Sequence, residues 1–200
     1  MAPSYDGLTF SPVPKAFEPT AAFSIPVTTL HHSTYPAISA LRPELSQAGK
    51  TVLITGGGTG VGFSIAQGFA SAGAAKIILA ARRQDVLDNA SKKLTAEFPA
   101  VEVLVHPLDV SDGESIAALW AWLEGHGLVV DVLVLNAGIA SPPVTVGNMG
   151  HKNIWEFYKV NVYGHVMLSD YFIKQEGKRA GLGPKVCDIT TPDSEPCHTE

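Results

Sequence analysis

The sequence predicts an α/β fold built on a doubly wound parallel sheet, and three observations carry that expectation. Short β-branched runs alternate with amphipathic helical patterns between residue 50 and about residue 176. A glycine-rich string at 55–62 joins the first of these runs to the first helical pattern. Finally, 46% of the 200 residues are apolar, which suffices to bury one sizeable core.

Strands are expected at 51–55, 76–80, 101–106 and 131–135, each a near-continuous apolar run of the kind covered by helices on both faces. Helical patterns fall between them at about 60–72, 84–97, 112–124 and 151–175. The third carries a start signal. Ser111-Asp112-Gly113-Glu114 reads as a capping box, in which Ser111 and Glu114 satisfy each other's free N–H groups. Right-handed crossovers between such elements lead to a Rossmann-type sheet.

The flanks differ in character. Residues 1–48 hold seven of the fourteen prolines and read as a Pro-rich arm, either extended and anchored through Phe10, Phe17, Phe23 and Tyr35 or disordered. The α/β domain is expected over 49–191. A fifth strand begins at Lys185, but Asp188 breaks its apolar run, and 192–200 form an irregular tail around Pro192 and Pro196.

A formal charge of −5 gives no reason to expect nucleic acid. Two cysteines are too few for a disulfide framework, and no apolar run approaches a membrane span. A soluble, cytoplasmic protein is expected, with neither membrane nor nucleic acid as partner. No metal is expected, because Cys187, Cys197 and His198 lack paired ligand spacing and His31-His32 has no evident third ligand.

The strongest local signal is Thr55-Gly56-Gly57-Gly58-Thr59-Gly60-Val61-Gly62. A pyrophosphate needs backbone N–H groups at close range and the positive end of a helix, and glycines permit both. No G-x-G-x-x-G fits, since Val61 or Phe63 stands where the last glycine belongs, and no G-K-[ST] is present. What fits is T-G-x-x-x-G-x-G, with Thr55, Gly56, Gly60 and Gly62. This resembles the single-domain branch of the short-chain dehydrogenases/reductases.

Further motifs follow in the family's order. Leu108-Asp109-Val110 is similar to the segment whose Asp contacts adenine. Asn136-Ala137-Gly138 resembles the N-A-G signature that stabilises the sheet beside the ribose, although Leu135 replaces the Asn often found before it. Asn161 matches the Asn in the middle of the fourth helix, which in the family helps hold a proton relay, and it is the one catalytic candidate; its other reading is a polar residue on a helix. The resemblance implies a cofactor site comprising Thr55, Gly56, Gly58, Thr59, Gly60, Val61, Gly62, Arg82, Arg83, Asp109, Asn136, Ala137 and Gly138.

The second strand ends Ala80-Ala81-Arg82-Arg83, without the acid that accepts hydrogen bonds from a ribose 2′-hydroxyl. A guanidinium pairs instead with a 2′-phosphate, so Arg82 or Arg83 favours NADP, with NAD as the alternative. Solvated surface arginines are the competing reading.

In the resembled family a Tyr, aided by a Lys four residues on, protonates the oxyanion left by hydride transfer. The five tyrosines at 5, 35, 158, 163 and 171 are followed four positions later by Thr9, Ser39, Val162, Met167 and Gln175. The family's Ser position corresponds to Thr190 or Thr191. Motif order places the dyad beyond Glu200, so the resemblance implies a C-terminally truncated member whose sheet is incomplete on that side. The change of character near Val186 suggests an altered reading of a longer gene. Three functions remain open at this point: an NADP-dependent oxidoreductase acting on a carbonyl or secondary alcohol, a non-catalytic NADP-binding protein, and an inactive truncated product. Homo-oligomerisation is compatible with each.

Overall fold

In the computed structural model, which describes residues 34–140, 145–177 and 185–188, the expected alternation becomes five parallel strands with crossover helices. Strands β1 (Thr51–Thr55), β2 (Lys76–Ala81), β3 (Glu102–Pro107), β4 (Val132–Leu135) and β5 (Lys185–Asp188) lie in the order β3-β2-β1-β4-β5. The helices are α1 (Gly60–Ser71), α2 (Gln84–Glu97), α3 (Gly113–Gly125), α4 (Val146–Met149), α5 (His151–Tyr158) and α6 (Gly164–Lys174). After β3 the chain crosses over to the far side of β1. The loops leaving β1 and β4 therefore run in opposite directions and open a crevice at the carboxyl ends of those strands.

Alternation along each strand builds two cores. Leu53, Ile78, Leu133 and Leu135 point to one face, where they meet Ile116, Leu119 and Leu123 of α3 and Leu168 and Phe172 of α6. Their neighbours Val52, Ile54, Ile77, Leu79, Val132 and Val134 point to the other, against Ala66 and Ala70 of α1 and Leu87, Ala90 and Leu94 of α2. Burial on both faces explains why the strands read as unbroken apolar runs. The start of β1 is held by Asp131, whose Oδ2 accepts the Thr51 N–H at 2.8 Å.

Residues 34–38, a separate unit described by itself, contain the 3-10 turn Pro36–Ile38. From Ser39 the chain forms a second 3-10 turn, Pro43–Leu45, before the Gln47 N–H donates to the Ala72 carbonyl at 2.8 Å. Residues 1–33, with Phe10, Phe17, Phe23, His31 and His32, lie outside the described residues. So do 189–200, which include Thr190, Thr191, Cys197 and His198. Among the described residues, no helix is long and apolar enough to cross a membrane, and no group of three or more His, Cys, Asp or Glu is placed to hold a metal.

Two local expectations need correction. The N-cap of α3 is Asp112, not Ser111: Asp112 Oδ1 accepts the Glu114 N–H at 3.0 Å. Ser111 is drawn away by a stronger acceptor, the Asp109 carboxylate, to which its hydroxyl donates at 2.6 Å and its N–H at 2.9 Å. The helix expected over 151–175 is interrupted by a π-helical segment, Lys159–Tyr163, and preceded by the short α4. The interruption coincides with Asn161, which hydrogen-bonds outside its own helix.

Leu133 is fully buried beneath α3 and α6. Leu133→Ala is expected to lower unfolding stability by about 2 to 5 kcal/mol, the range for deleting a buried leucine side chain. Urea denaturation of the two proteins checks this; a loss below about 1 kcal/mol would contradict the packing described.

Candidate dinucleotide site

Thr55 closes β1 with its side chain fully buried. Its hydroxyl donates to the Val134 carbonyl at 3.3 Å and accepts the N–H groups of Asn136 and Ala137, each at 3.0 Å. Asn136 reciprocates by donating from Nδ2 to the Thr55 carbonyl at 2.9 Å. These bonds replace the backbone ladder where β1 and β4 diverge. Thr55 and Asn136 thus hold the crevice open at fixed width and do not line it themselves.

The loop leaving β1 turns through Gly56 at φ +67°, a left-handed conformation costly for any residue with a Cβ. Gly62, in the first turn of α1, is needed for space: a Cβ there would stand 2.3 Å from the Gly56 carbonyl oxygen and 2.6 Å from Asn136 Nδ2. Glycine therefore lets α1 begin directly against the loop. Thr59 is the N-cap, in extended conformation, and its hydroxyl makes no capping bond. The first N–H groups of α1 have no carbonyl one turn back, so the positive pole of the helix opens beside Gly58 and Thr59.

Arg82 and Arg83 follow β2, both exposed, and among the described residues neither guanidinium makes a hydrogen bond or ion pair. Arg83 occupies the N-cap of α2 without a side-chain cap. Asp109 follows β3. Partial burial works to raise its carboxyl, but the hydrogen bonds from Ser111 and the nearby charges of Arg82 and Lys159 outweigh that and hold it below the ordinary carboxylate range. The Asp109 N–H is itself tied to Ser115 Oγ at 3.0 Å.

The loop after β4 is pinned from the helical side. Asn161 accepts the Ile139 N–H at 2.9 Å and donates to the Ile139 carbonyl at 2.8 Å, so both ends of its amide are engaged. Four residues on, the buried His165 places Nε2 2.9 Å from the Ala137 carbonyl. Asn161 thereby positions a loop that borders the crevice.

A cavity of about 490 Å³ runs through these parts. Of the residues singled out in the sequence, Gly56, Gly58, Thr59, Arg82, Arg83, Asp109, Ala137 and Gly138 line it. Thr55, Gly60, Gly62, Asn136 and Asn161 are not on its wall; Val61 is 63% exposed and also off it. The wall further includes Ser111, Ile139, Glu156 and Val160, which the motifs did not point to. Glu156 and Val160 carry no local motif, and only the tertiary placement of α5 and the π segment brings them to this wall. A helix pole at one end and two free guanidinium groups on the wall make the donor set fit a molecule with several phosphate groups, and the volume is that of a cofactor site.

Comparison with known proteins agrees with this geometry. The family model described as short chain dehydrogenase matches residues 50–182. A short chain dehydrogenase/reductase of Claviceps purpurea is 32% identical over 153 residues, covering 76% of this chain and 51% of the relative. An NADP-dependent 3-hydroxy acid dehydrogenase of Schizosaccharomyces pombe is 34% identical over 140 residues, covering 68% and 54%. Among solved structures, L-sorbose reductase of Gluconobacter frateurii, complexed with NADPH and L-sorbose, superposes with TM-score 0.59 at 34% identity, covering 64% of this chain and 48% of that one. The chain spans about half the length of these relatives. With its motifs in family order, its glycine loop at the switch point and its family match over residues 50–182, the chain belongs to the short chain dehydrogenase family.

Proposed function

We propose that this chain supplies the cofactor-binding part of an oxidoreductase that moves a hydride between NADP(H) and a carbonyl or secondary alcohol. The carrying observation is the pair Arg82 and Arg83, which among the described residues make no hydrogen bond or ion pair, on the wall of the cavity that also contains the glycine loop. A carboxylate at that place would repel a 2′-phosphate, whereas a guanidinium forms charge-assisted hydrogen bonds with it. The NADPH complex of the sorbose reductase and the NADP-dependent name of the fission-yeast relative support the same choice over NAD.

In this reading the residues divide by role. Gly56, Gly58 and Thr59, with the first N–H groups of α1 at Gly60, Val61 and Gly62, receive the diphosphate. Arg82 and Arg83 hold the 2′-phosphate. Asp109 with Ser111 borders the adenine, and Ala137 and Gly138 border the ribose. Thr55, Asn136 and Asn161 keep those walls in place. When bound, the nicotinamide gives or takes the hydride. The domain division carries over as part of the proposal, with an arm at 1–48, the nucleotide-binding domain at 49–191 and a tail at 192–200, in a cytoplasmic protein able to self-associate.

One observation favours a second reading, a non-catalytic NADP-binding protein. Among the described residues no tyrosine lines the cavity. Tyr171 stacks on Trp120 at 6.0 Å, and its fourth neighbour Gln175 is spent bonding the Val130 backbone. Mixing the protein with NADPH and a panel of ketones distinguishes the two: loss of NADPH absorbance supports the oxidoreductase, and binding without turnover the second reading.

NADPH is expected to bind more tightly than NADH by about tenfold to a hundredfold, the worth of a charge-assisted hydrogen bond or two. Arg82→Ala and Arg83→Ala together should bring the two affinities close to parity, as read by calorimetric titration. Equal affinities in the unaltered protein would overturn the NADP assignment.

Asp109 sets a pH dependence. Its folded-state pKa lies below the unfolded one, so its contribution to stability is full above about pH 4 and is lost as pH falls through the lower, folded value. Asp109→Asn should therefore flatten the acid limb of a stability-versus-pH curve measured by urea melts. An unchanged limb would count against the Ser111, Arg82 and Lys159 environment.

A further inference from the structure

The cofactor cavity carries a second carboxylate that no motif announced. Glu156 of α5 shares its wall with Asp109, Arg82 and Arg83. A dinucleotide with a 2′-phosphate brings several negative charges into the same space, and two uncompensated carboxylates there would oppose it. Lys159, the first residue of the π segment, answers this. Its Nζ lies 2.8 Å from Glu156 Oε1, and its side chain is only 33% exposed, so its charge is screened less than that of a free surface lysine. It also stands close enough to Asp109 to act on that carboxyl together with Arg82.

We propose that Lys159 is a positioning residue for the cofactor: it ties down and neutralises Glu156, so that the helical side of the cavity wall presents no lone negative charge to a phosphorylated adenosine. This rests on the NADP reading above. Within that reading it adds a selectivity element on the helical wall of the cavity, separate from the arginines after β2. Among the residues lining the cavity, Arg82, Arg83 and Asp109 follow the strands and Glu156 is the one carboxylate from a helix; Lys159, behind the wall, is its ion-pair partner, and without Lys159 that side keeps a lone negative charge.

The test is a charge-swap series with affinity as the readout. Lys159→Met is expected to weaken NADPH binding about three- to tenfold, the effect of one unscreened charge at several ångströms in a partly solvated site. It should weaken NADH less, because that molecule lacks the 2′-phosphate. Lys159→Arg keeps the charge and should keep the affinity. Adding Glu156→Gln to Lys159→Met should restore most of the loss, and raising the salt concentration should shrink the difference between single variant and parent. A lysine that only packs the helix would give a loss insensitive to salt and not rescued by Glu156→Gln, and that result would overturn the proposal. Thermal melts of each variant identify any that fail to fold, and for those Lys159→Gln replaces Lys159→Met. If the parent binds NADPH but Lys159→Met leaves its affinity unchanged, this inference fails alone; if the parent binds neither nucleotide, the cofactor reading itself fails.

Discussion

The site depends on one small knot of hydrogen bonds, the exchange between Thr55 and Asn136 at the point where β1 and β4 part. Parallel strands share a ladder only while they run side by side, and here the chain must leave the sheet in two directions at once. A buried hydroxyl that both donates and accepts, facing a side-chain amide that returns the bond, satisfies the backbone groups that the divergence would otherwise strand. The crevice then has a floor of fixed width. The glycine loop, the start of α1 and the segment after β4 are all measured from it. Gly62 belongs to the same arrangement, because α1 can press against Asn136 Nδ2 only where no side chain intervenes.

Much of this was legible in the residues. Apolar runs located the first four strands to within a residue at most ends, because burial on two faces leaves an uninterrupted signature. The glycine spacing located the loop because few sequences satisfy its geometry. Less visible was the division of labour within the motifs. Thr55 and Asn136 read as members of the cofactor site, and the motif does not reveal that the Thr55 hydroxyl and Asn136 Nδ2 bond the backbone where β1 and β4 part. The capping box failed for a related reason: a pattern of residue types does not reveal that the Asp109 carboxylate outcompetes a helix N-terminus for Ser111. The π segment was hidden too, since a heptad-like apolar pattern is indifferent to one extra residue in the turn. Ile139, Glu156 and Val160 enter the cavity through tertiary placement alone.

The electrostatics of the cavity follow from where its cations stand. Arg82 and Arg83 come at the carboxyl end of β2, close to the positive pole of α2, an arrangement unfavourable in isolation. Lys174, by contrast, is paired with Asp170 one helical turn away. Two guanidinium groups left open on one wall, next to a carboxylate held ionised, therefore describe a surface prepared for an anion.

The double grip of Asn161 on Ile139 has a mechanical corollary. Its amide offers the peptide the same donor and acceptor that a neighbouring strand would, while His165 holds the carbonyl two residues earlier. Gly138, lying between those anchors on the cavity wall, becomes a narrow ledge suspended at both ends from α6 and the segment before it. Whatever rests on that ledge pushes on a helix instead of a loose connection, so a load at the crevice is carried into the body of the protein.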